Sequence, residues 1–517
     1  MKHKRLWWWL IGIAAVLIIL TVAGIIAASR IDPVLRRRSI EALEKRFNAD
    51  VQLKRLHVSF FPVVGATGEG LVIRYRDRPD LPPFISIRKF HAQTHLSELL
   101  RQPIHIRKIR LEGLQIHVPP KGERKLSANS GGGGGNSMKS LQIDQIIADG
   151  TFLEILPKKQ GKLPLDFDLT KLTLHSISGQ DPLSFEAVLT NPKPPGDIQT
   201  TGKFGPWQTD EPSSTPVSGN YNFRNADLSV FKGISGILSS NGAYKGKLDQ
   251  IIVDGTTDIP DFAVGTGGHP VRLTTEFHAI VDGTDGDTLL QPVNAHFLHS
   301  SVRCYGGAEG KPGEKGKTIK LDITVKDARL EDMLRLAVKS DKPAMTGALS
   351  FKTKFLLPPG DEDVIRKLQL NGAFGIGAAK FTDQSVQEKI NTLSHKSEGH
   401  PKQSDDDNVF ANLKGRFVLK GGAMSFSRLT FQVPGAVVRL DGSYGLENEA
   451  FDLHGNLRMK AKVSQTMTGW KSVLLKAADP FFKKNGAGAV LPIKITGTRS
   501  HPDFGLDFHR KDDKKAR

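Results

Sequence analysis

The sequence predicts a mainly β protein: an N-terminal transmembrane helix followed by a curved antiparallel β-sheet with a few short helices. Three observations predict this class. Residues 6–28 form an apolar run, much of the remaining chain alternates apolar and polar residues, and its 52 glycines and 29 prolines are spread widely. Alternation with a period of two is typical of half-buried strands, and frequent glycine and proline are typical of the turns that join them.

The apolar run 6–28 is long enough to cross a membrane. Thr21 is its only clearly polar residue. A helix rises about 1.5 Å per residue, so a run of this length spans a hydrocarbon core about 30 Å thick. Trp7, Trp8 and Trp9 suit the headgroup layer, where aromatic rings anchor spanning helices.

A cleaved secretory signal is the alternative to a retained anchor. A signal has an apolar core of about 7–15 residues followed by a site of small residues. The run here is longer, and Ala27, Ala28 and Ser29 make a poor cleavage site, so we expect an anchor. Basic residues flank both of its ends, and we favour a cytoplasmic segment over residues 1–5 with an exported body.

The chain is strongly basic. It has 72 Lys and Arg against 54 Asp and Glu, a net charge of +18. This excess favours anionic partners such as phospholipid headgroups, lipopolysaccharide phosphates or nucleic acid, although it also serves solubility alone. Membrane attachment favours lipid, and no zinc-finger, RNA-binding or recognition-helix pattern supports nucleic acid. The lone Cys304 agrees with an exported body that uses no disulfides.

After the anchor, the first predicted elements are a short helix and then strands. Residues 32–47 begin with a capping Asp32 and Pro33 in the first turn, and their apolar residues keep helical spacing. From Val51 the apolar period changes to two, as half-buried strands require.

A ten-residue segment repeats within the predicted strands. Residues 104–113 (IHIRKIRLEG) recur thirty-seven positions later as residues 141–150 (LQIDQIIADG), and part of this segment recurs at 249–255 (DQIIVDG). Repetition on this scale indicates stacked units, each a strand, a bend at a glycine and a second strand. Glycines also precede aromatic residues in alternating stretches such as 372–374 and 415–417, which indicates strong curvature of the sheet.

Two loops and three further helices interrupt the predicted strands. Residues 119–140, with five consecutive glycines, predict a disordered loop, and residues 395–408 predict a polar loop. Apolar residues at helical spacing predict helices over 327–338, 386–393 and 463–482.

No residue pattern predicts catalysis or a bound metal. His91 and His95 have no third ligand in register, and residues 282–287 (DGTDGD) depart from the EF-hand pattern and predict a polar hairpin turn. Cys304 has no compelling histidine partner, and no nucleophile elbow or nucleotide-binding fingerprint occurs. We therefore predict a protein that is not an enzyme, with no catalytic residues, no cofactor and no metal.

Soft motifs of glycine, proline and alternating apolar residues lie at both ends of the chain. They are residues 56–60 (LHVSF) and 70–73 (GLVI) after the anchor, and residues 419–426 (LKGGAMSF), 433–442 (VPGAVVRLDG) and 491–497 (LPIKITG) near the other end. Together with the membrane helix, these segments resemble the AsmA family, including its AsmA-like and TamB-like members. Residues 119–140 resemble an insertion relative to that pattern.

The resemblance implies an inner-membrane anchor, a periplasmic body and an elongated, taco-like β groove lined by apolar side chains, as in bridge-like lipid carriers. It also implies phospholipid movement toward the outer membrane and assembly of that membrane, with no catalytic residues to carry over. The predicted organisation is a cytoplasmic N-terminus (1–5), a transmembrane helix (6–28), an AsmA-like N-terminal region (29–118), a Gly-rich disordered loop (119–140), a repetitive β region (141–340), an AsmA-like C-terminal region (341–509) and a charged tail (510–517).

From the residues alone, an apolar sheet face has two ways to leave water. Two sheets pack against each other, or the face shields another apolar group such as acyl chains, and periodicity does not separate the two. The first predicts an envelope scaffold that binds proteins through β-sandwich domains without lipid.

The second arrangement predicts a single-pass inner-membrane protein that transports phospholipid, and it is the one we favour. Its expected partners are phospholipid or another anionic lipid, the inner membrane, and outer-membrane or periplasmic proteins. The candidates for groove lining are Ile104, Ile106, Ile109, Ile116, Val118, Ile143, Ile146, Leu153 and Ile155. The candidates for headgroup contact are Arg36, Arg37 and Arg38, which alternatively only flank the anchor.

Overall fold

Strands account for 68% of the structure, which is a computed structural model. The described residues form 24 strands and few helices, so the mainly β prediction is confirmed. The residues that the structure describes are 33–34, 36–41, 43–44, 49–59, 64–75, 81–95, 98, 104–118, 141–156, 164–177, 181–206, 208, 211–265, 268–314, 316–400, 409–466, 488–498 and 501–507.

Several predictions from the sequence lie outside the described residues. These are the transmembrane helix (6–28), the Gly-rich loop (119–140), the charged tail (510–517) and most of the helix predicted over 463–482. Among the helices that are described, none is both long and apolar enough to cross a membrane.

The chain divides into two compact units. Unit 1 comprises Met1–Arg224, Asn241–Val253 and Val281–Gly286, and unit 2 comprises Asn225–Ser240, Asp254–Ile280 and Asp287–Arg517.

In unit 1, eight strands and most of a ninth pair in chain order, each with the next. All of these pairs are antiparallel except β4–β5. The strands are β1 (Ala49–Ser59), β2 (Val64–Tyr75), β3 (Ile85–Thr94), β4 (Ile104–Val118), β5 (Leu141–Ile155), β6 (Leu165–Ile177), β7 (Leu183–Pro192), β8 (Pro195–Phe204) and β9 (Pro216–Asp227).

Four strands follow in sequence: β10 (Ile234–Ser235), β11 (Ile237–Lys247), β12 (Gln250–Val264) and β13 (Val271–Val281). In unit 2, the next eleven strands again pair in chain order, all antiparallel. These are β14 (Thr288–Phe297), β15 (Ser300–Gly310), β16 (Lys317–Arg329), β17 (Met345–Leu357), β18 (Gln369–Phe381), β19 (Ala411–Lys420), β20 (Ala423–Val433), β21 (Ala436–Gly445), β22 (Ala450–Met459), β23 (Ala489–Thr498) and β24 (Pro502–Leu506). No described pairing joins the two ends of either ladder, so each is unclosed.

The parallel pair β4–β5 contains the sequence repeat. Its register places Ile106 beside Ile143 and Ile116 beside Leu153, the same interval of thirty-seven residues. Equivalent residues of the two copies therefore lie side by side. The prediction of an antiparallel sheet is wrong at this pair. Parallel strands need a connection of about a dozen residues or more, and the connection over residues 119–140 is long enough to allow one.

Gly113 and Gly150 occupy equivalent positions in the two copies and have φ values of 64° and 67°. This left-handed conformation favours glycine. The glycine does not separate two strands, as the repeat predicted, but interrupts the alternation within one. Leu111 and Leu114 therefore join the same core cluster, although they are three positions apart and would face opposite sides in an uninterrupted strand. The third copy lies in β12, where Gly255 does not have a positive φ.

In unit 2, β-bulges occur on three alternate strands, β16, β18 and β20. Asp327 on β16, Ala378 on β18 and Arg428 on β20 have φ values of 54°, 48° and 61°, and the pairing register shifts beside each of them. The amides of Ala378 and Arg428 donate to Asn412 Oδ1 (3.4 Å) and Asp441 Oδ1 (2.8 Å). Bulges bend a strand and increase its twist, so these positions curve the ladder of unit 2.

The helices differ in length from those predicted. They are α1 (Leu330–Ala337), α2 (Val364–Lys367) and α3 (Gln384–Glu398). The prediction over 327–338 begins too early, because Asp327 belongs to the bulge of β16. The prediction over 386–393 is too short: Asp383 caps α3 by accepting from Val386 N (3.1 Å), and Gly399 ends it at φ 90°.

The polar loop predicted over 395–408 is wrong for its first four residues, which belong to α3, and residues 401–408 lie outside the described part. Val463–Thr466 forms a short 3-10 helix at the start of the third predicted helix. Near the N-terminus, the described residues 33–34, 36–41 and 43–44 are helical, as predicted. From this helix, Ile40 and Leu43 pack against the core of β1 and β2.

His454 on β22 is bonded at both ring nitrogens. Its Nδ1 lies 2.7 Å from Asp507 Oδ2, just after β24, and its Nε2 lies 3.0 Å from Asp452 Oδ1. Hydrogen bonds to Asp507 and then Asp452 raise the pKa of His454 above its ordinary value of 6.5. Asp441 and Lys494 are its cross-strand neighbours. The bond to Asp507 ties the end of β24 to β22.

This arrangement predicts a pH-dependent stability. The pKa of His454 is higher in the folded than in the unfolded chain, so its contribution is full below pH 6.5 and is lost as the pH rises through the folded-state pKa. We expect the unfolding temperature of the wild type to fall as the pH rises through that range. The unfolding temperature of the Asp507→Asn variant should fall by less. Calorimetry of the full chain at pH values on both sides of 6.5 measures this. Identical pH profiles for the variant and the wild type would contradict it.

Candidate functional site

Alternate residues of β16–β24 form one continuous apolar face in unit 2. The register aligns these residues from strand to strand, and directly opposite side chains have Cβ atoms about 5 Å apart. The first row of this apolar face is Leu321, Phe355, Leu370, Leu419, Met424, Tyr444 and Phe451. The second row is Leu349, Ile376, Leu413, Phe431, Val438, Leu457 and Leu491.

Aromatic rings fill the space above glycines on this apolar face. Phe417 stacks on Phe351 with ring centroids 5.6 Å apart and lies 6.2 Å from the ring of Phe374. Gly415 is the cross-strand partner of Phe374, and a Cβ there would lie 3.1 Å from that ring. The glycine-aromatic segments of the sequence therefore place rings on one surface, where the missing side chain leaves room for them.

Helices pack against one part of the apolar face. Leu330, Met333 and Leu334 of α1, and Ile390 and Leu393 of α3, join a cluster with residues of the sheet. That cluster includes five members of the second row and none of the first.

Asp332 fixes the position of α1 at this cluster. Its buried carboxylate accepts from His299 N (2.9 Å) and from Ser300 Oγ (2.8 Å) at the turn between β14 and β15.

The opposite surface of the same strands is polar and exposed. Phe417 is 4% exposed and Leu419 2%, whereas Val418 between them is 46% exposed. Lys414, Arg416 and Lys420 share the side of Val418. We call this surface, on β16–β19, the cationic face. One sheet therefore separates apolar and charged residues onto its two sides.

In unit 1, the structure brings three of the nine predicted lining residues into one cluster. Ile109, Ile116 and Ile146 pack against Leu111, Leu114 and Ala148. The other described side chains are half-buried and lie outside that cluster: Ile106, Val118, Ile143, Leu153 and Ile155. Only the backbone of Ile104 is described. The positive φ of Gly113 allows Ile109 and Ile116 to share one core although they lie on opposite sides of an uninterrupted alternation.

The three arginines proposed for headgroup contact are exposed but differ in their contacts. Arg36 Nε donates to the carbonyl of Leu53 (2.6 Å), so it ties the short N-terminal helix to β1. Arg37 forms an exposed ion pair with Glu41 (3.1 Å). Such a pair is worth little in water, so Arg37 remains accessible to another anion. Arg38 is exposed as well.

The residues that could carry chemistry have ordinary structural surroundings. Burial raises the pKa of the Cys304 thiol, which keeps it protonated. His91 Nδ1 shares a hydrogen bond with Thr67 Oγ1 (3.0 Å) on the neighbouring strand. Asp282 accepts from Thr284 N (2.8 Å) in the turn between β13 and β14. Within the described residues, no group of three potential metal ligands comes together.

Sequence reasoning missed the apolar face of unit 2 as a candidate site. In the sequence its residues form only alternating segments, and the lining candidates come from the repeat in unit 1 instead. The available signal was the alternation of apolar and basic residues over Ala411–Lys420, with its continuation in Ala423–Val433. Which strands pair, and in which register, is not visible in either segment.

Comparison of the chain with protein-family models, with curated proteins and with solved structures finds no match. The resemblance to the AsmA family therefore stays a prediction.

Neighbouring residues on β19 test the assignment of the two faces. We expect Phe417→Ala to lower the free energy of unfolding by about 3–5 kcal/mol, because a buried aromatic ring leaves a cavity. Val418→Ala, one residue away on the exposed side, should change it by less than about 0.5 kcal/mol. Urea unfolding of the full chain measures both. Equal losses in the two variants would mean that the faces are assigned wrongly.

Proposed function

We propose that this chain is a membrane-anchored periplasmic protein that transports phospholipid between the inner and outer membranes and supports outer-membrane assembly. Acyl chains lie along the apolar face of unit 2 and along the apolar cluster of β3–β6 in unit 1. The continuity of the cross-strand rows supports this most strongly. The first row extends over seven strands without a charged or amide side chain.

Except for the buried Leu419, the side chains of the first row are partly exposed, so they need a non-aqueous partner. Moving one methylene out of water gains about 0.8 kcal/mol, so a dozen buried methylenes contribute on the order of 10 kcal/mol before the entropy cost of binding. At about 4.8 Å per strand, seven strands cover roughly 29 Å. One acyl chain spans about half of a 30 Å hydrocarbon core, so the row is long enough to hold an extended chain.

Features of the sequence support the location. The apolar run 6–28 supplies an anchor, and the net charge of +18 attracts anionic headgroups. Arg37 and Arg38 are exposed on the helix that follows the anchor, where anionic lipid would meet them first. The resemblance of both chain ends to the AsmA family agrees with this placement.

Site-specific photocrosslinking in intact cells tests the proposal. A diazirine amino acid at Met424 or Ile116 should form phospholipid adducts, because both side chains belong to apolar surfaces. The matched controls are the neighbouring positions Ser425 and Gln115, which are exposed. Mass spectrometry of the purified full chain identifies the adducts.

The outcomes separate lipid transport from the scaffold alternative. Lipid adducts confined to Met424 and Ile116 support the proposal. Equal labelling at Ser425 and Gln115 would contradict an apolar path. Adducts at Met424 and Ile116 that contain only protein would instead assign the chain to the envelope scaffold.

A further inference from the structure

The cationic face carries a concentration of basic side chains that no function has yet accounted for. Its strands β16–β19 expose eight of them: Lys320, Lys326, Arg329, Lys352, Lys354, Lys414, Arg416 and Lys420. Within the described part of the chain, no carboxylate lies within ion-pair distance of any of the eight. The acidic residues Asp322 and Asp327 are also exposed there, so positive charge exceeds negative charge.

Some basic residues elsewhere in the structure pair with carboxylates, although others, among them Lys203, Lys245 and Lys247, have no ion pair within the described part of the chain. Arg107 is 2.9 Å from Glu98, Arg272 is 2.9 Å from Asp258, and Arg366 is 2.7 Å from Glu447. The first of these is a hydrogen-bonded pair that lowers the pKa of Glu98. Like charges held close on one sheet face repel and oppose folding. Binding of an external anion would therefore offset the repulsion within this cluster.

Two clefts lie along the cationic face. The first, about 460 Å³, is lined by one cation, Lys414, and one carboxylate, Asp327, with Ser350, Asn412, Thr430 and Gln432, over Gly375 and Gly377. The second, about 520 Å³, is lined by three cations, Lys320, Lys354 and Lys420, and by one carboxylate, Asp322, which lies opposite Lys354 in the register, with Gln369 and Asn371. Both volumes fall within the range of ordinary ligand sites.

Strand β19 connects the two clefts. Lys414 lines the first cleft, Lys420 lines the second, and Arg416 lies between them on the same side of the strand. Six residues of an extended strand cover about 20 Å. The basic side chains therefore form a track of that length.

We propose that the cationic face binds an extended anionic polysaccharide, with its phosphate or carboxylate groups on the basic side chains. The amide and hydroxyl side chains of the clefts hydrogen-bond to its hydroxyl groups. A line of cations along one strand suits an extended polymer chain better than a flat bilayer. Docking to a bilayer also requires apolar residues that insert, and Val418 is the one large apolar residue of β16–β19 that is strongly exposed.

Binding of labelled oligosaccharides to the full chain in nanodiscs tests this inference. The probes are a phosphorylated mannan fragment and a polygalacturonate fragment, which separate phosphate from carboxylate recognition. The test variant is Lys414→Gln/Arg416→Gln/Lys420→Gln. The control is Lys203→Gln/Lys245→Gln/Lys247→Gln, which removes the same charge from exposed positions outside the cationic face.

We expect at least one probe to bind, and its affinity to fall with salt as for other polyanions. The test variant should bind it about tenfold or more weakly, while the control should retain most of the affinity. The unfolding temperature of neither variant should fall below that of the wild type, since every substituted side chain is exposed and the test variant loses like-charge repulsion.

Three results would overturn the inference. Equal weakening in the two variants would mean attraction by net charge alone. Binding of phosphatidylglycerol vesicles with no binding of either oligosaccharide would assign the face to a bilayer. Tighter binding of polyglutamate than of both oligosaccharides would assign it to an acidic protein. Because the cationic face lies opposite the apolar face, lipid crosslinking at Met424 should survive in the test variant, so this inference and the proposed function fail separately.

Discussion

The structure depends on one constraint: alternate residues of a strand face the same side, so apolar residues at a period of two must share one surface. In unit 2 the register preserves this surface over nine strands. A slip of one residue would place Lys352 where Phe351 packs, and Lys414 where Leu413 packs. The described helices reach only part of the apolar face. Acyl chains are our proposal for what removes the remaining apolar area from water.

Residues with a positive φ keep the apolar residues of these strands on one surface or bend the strands. Gly113 and Gly150 change which residues face the core at the same point in two neighbouring strands, so the apolar residues on both sides of the glycine pack together. In unit 2, bulges at Asp327, Ala378 and Arg428 bend the strands. A curved sheet encloses its apolar side and spreads its exposed side. The enclosed apolar side is the proposed lipid path, and the exposed side carries the proposed polysaccharide track.

The sequence predicted the strands well because a period of two is a local property, readable from Val51 onward. It predicted pairing poorly. The repeat identified Ile106 and Ile143 as equivalent, but not as neighbours in a parallel pair. Leu321 and Phe451 belong to one row although they are far apart in sequence, because six successive registers align them. No local pattern contains that information.

The helix boundaries show the same limit. The apolar spacing of α3 stops before its end, because the buried residues there are Ser394 and Ser397, and Gln387 is a further buried polar residue near its start. Gln387 Nε2 donates to the carbonyl of Val409 and Ser394 Oγ to that of Pro434, each at 2.9 Å. Asp327 has the residue type of a helix cap but the φ of a bulge. In both cases a tertiary contact or a backbone conformation determined what residue type alone did not.

The most direct test of the central claim is an experimental density map of the full chain, purified from membranes, at a resolution that shows acyl chains. Our account predicts elongated density along Leu321, Leu370, Leu419 and Met424 that no part of the polypeptide explains. Side chains of a second sheet packed into that row, with no space between them, would contradict it.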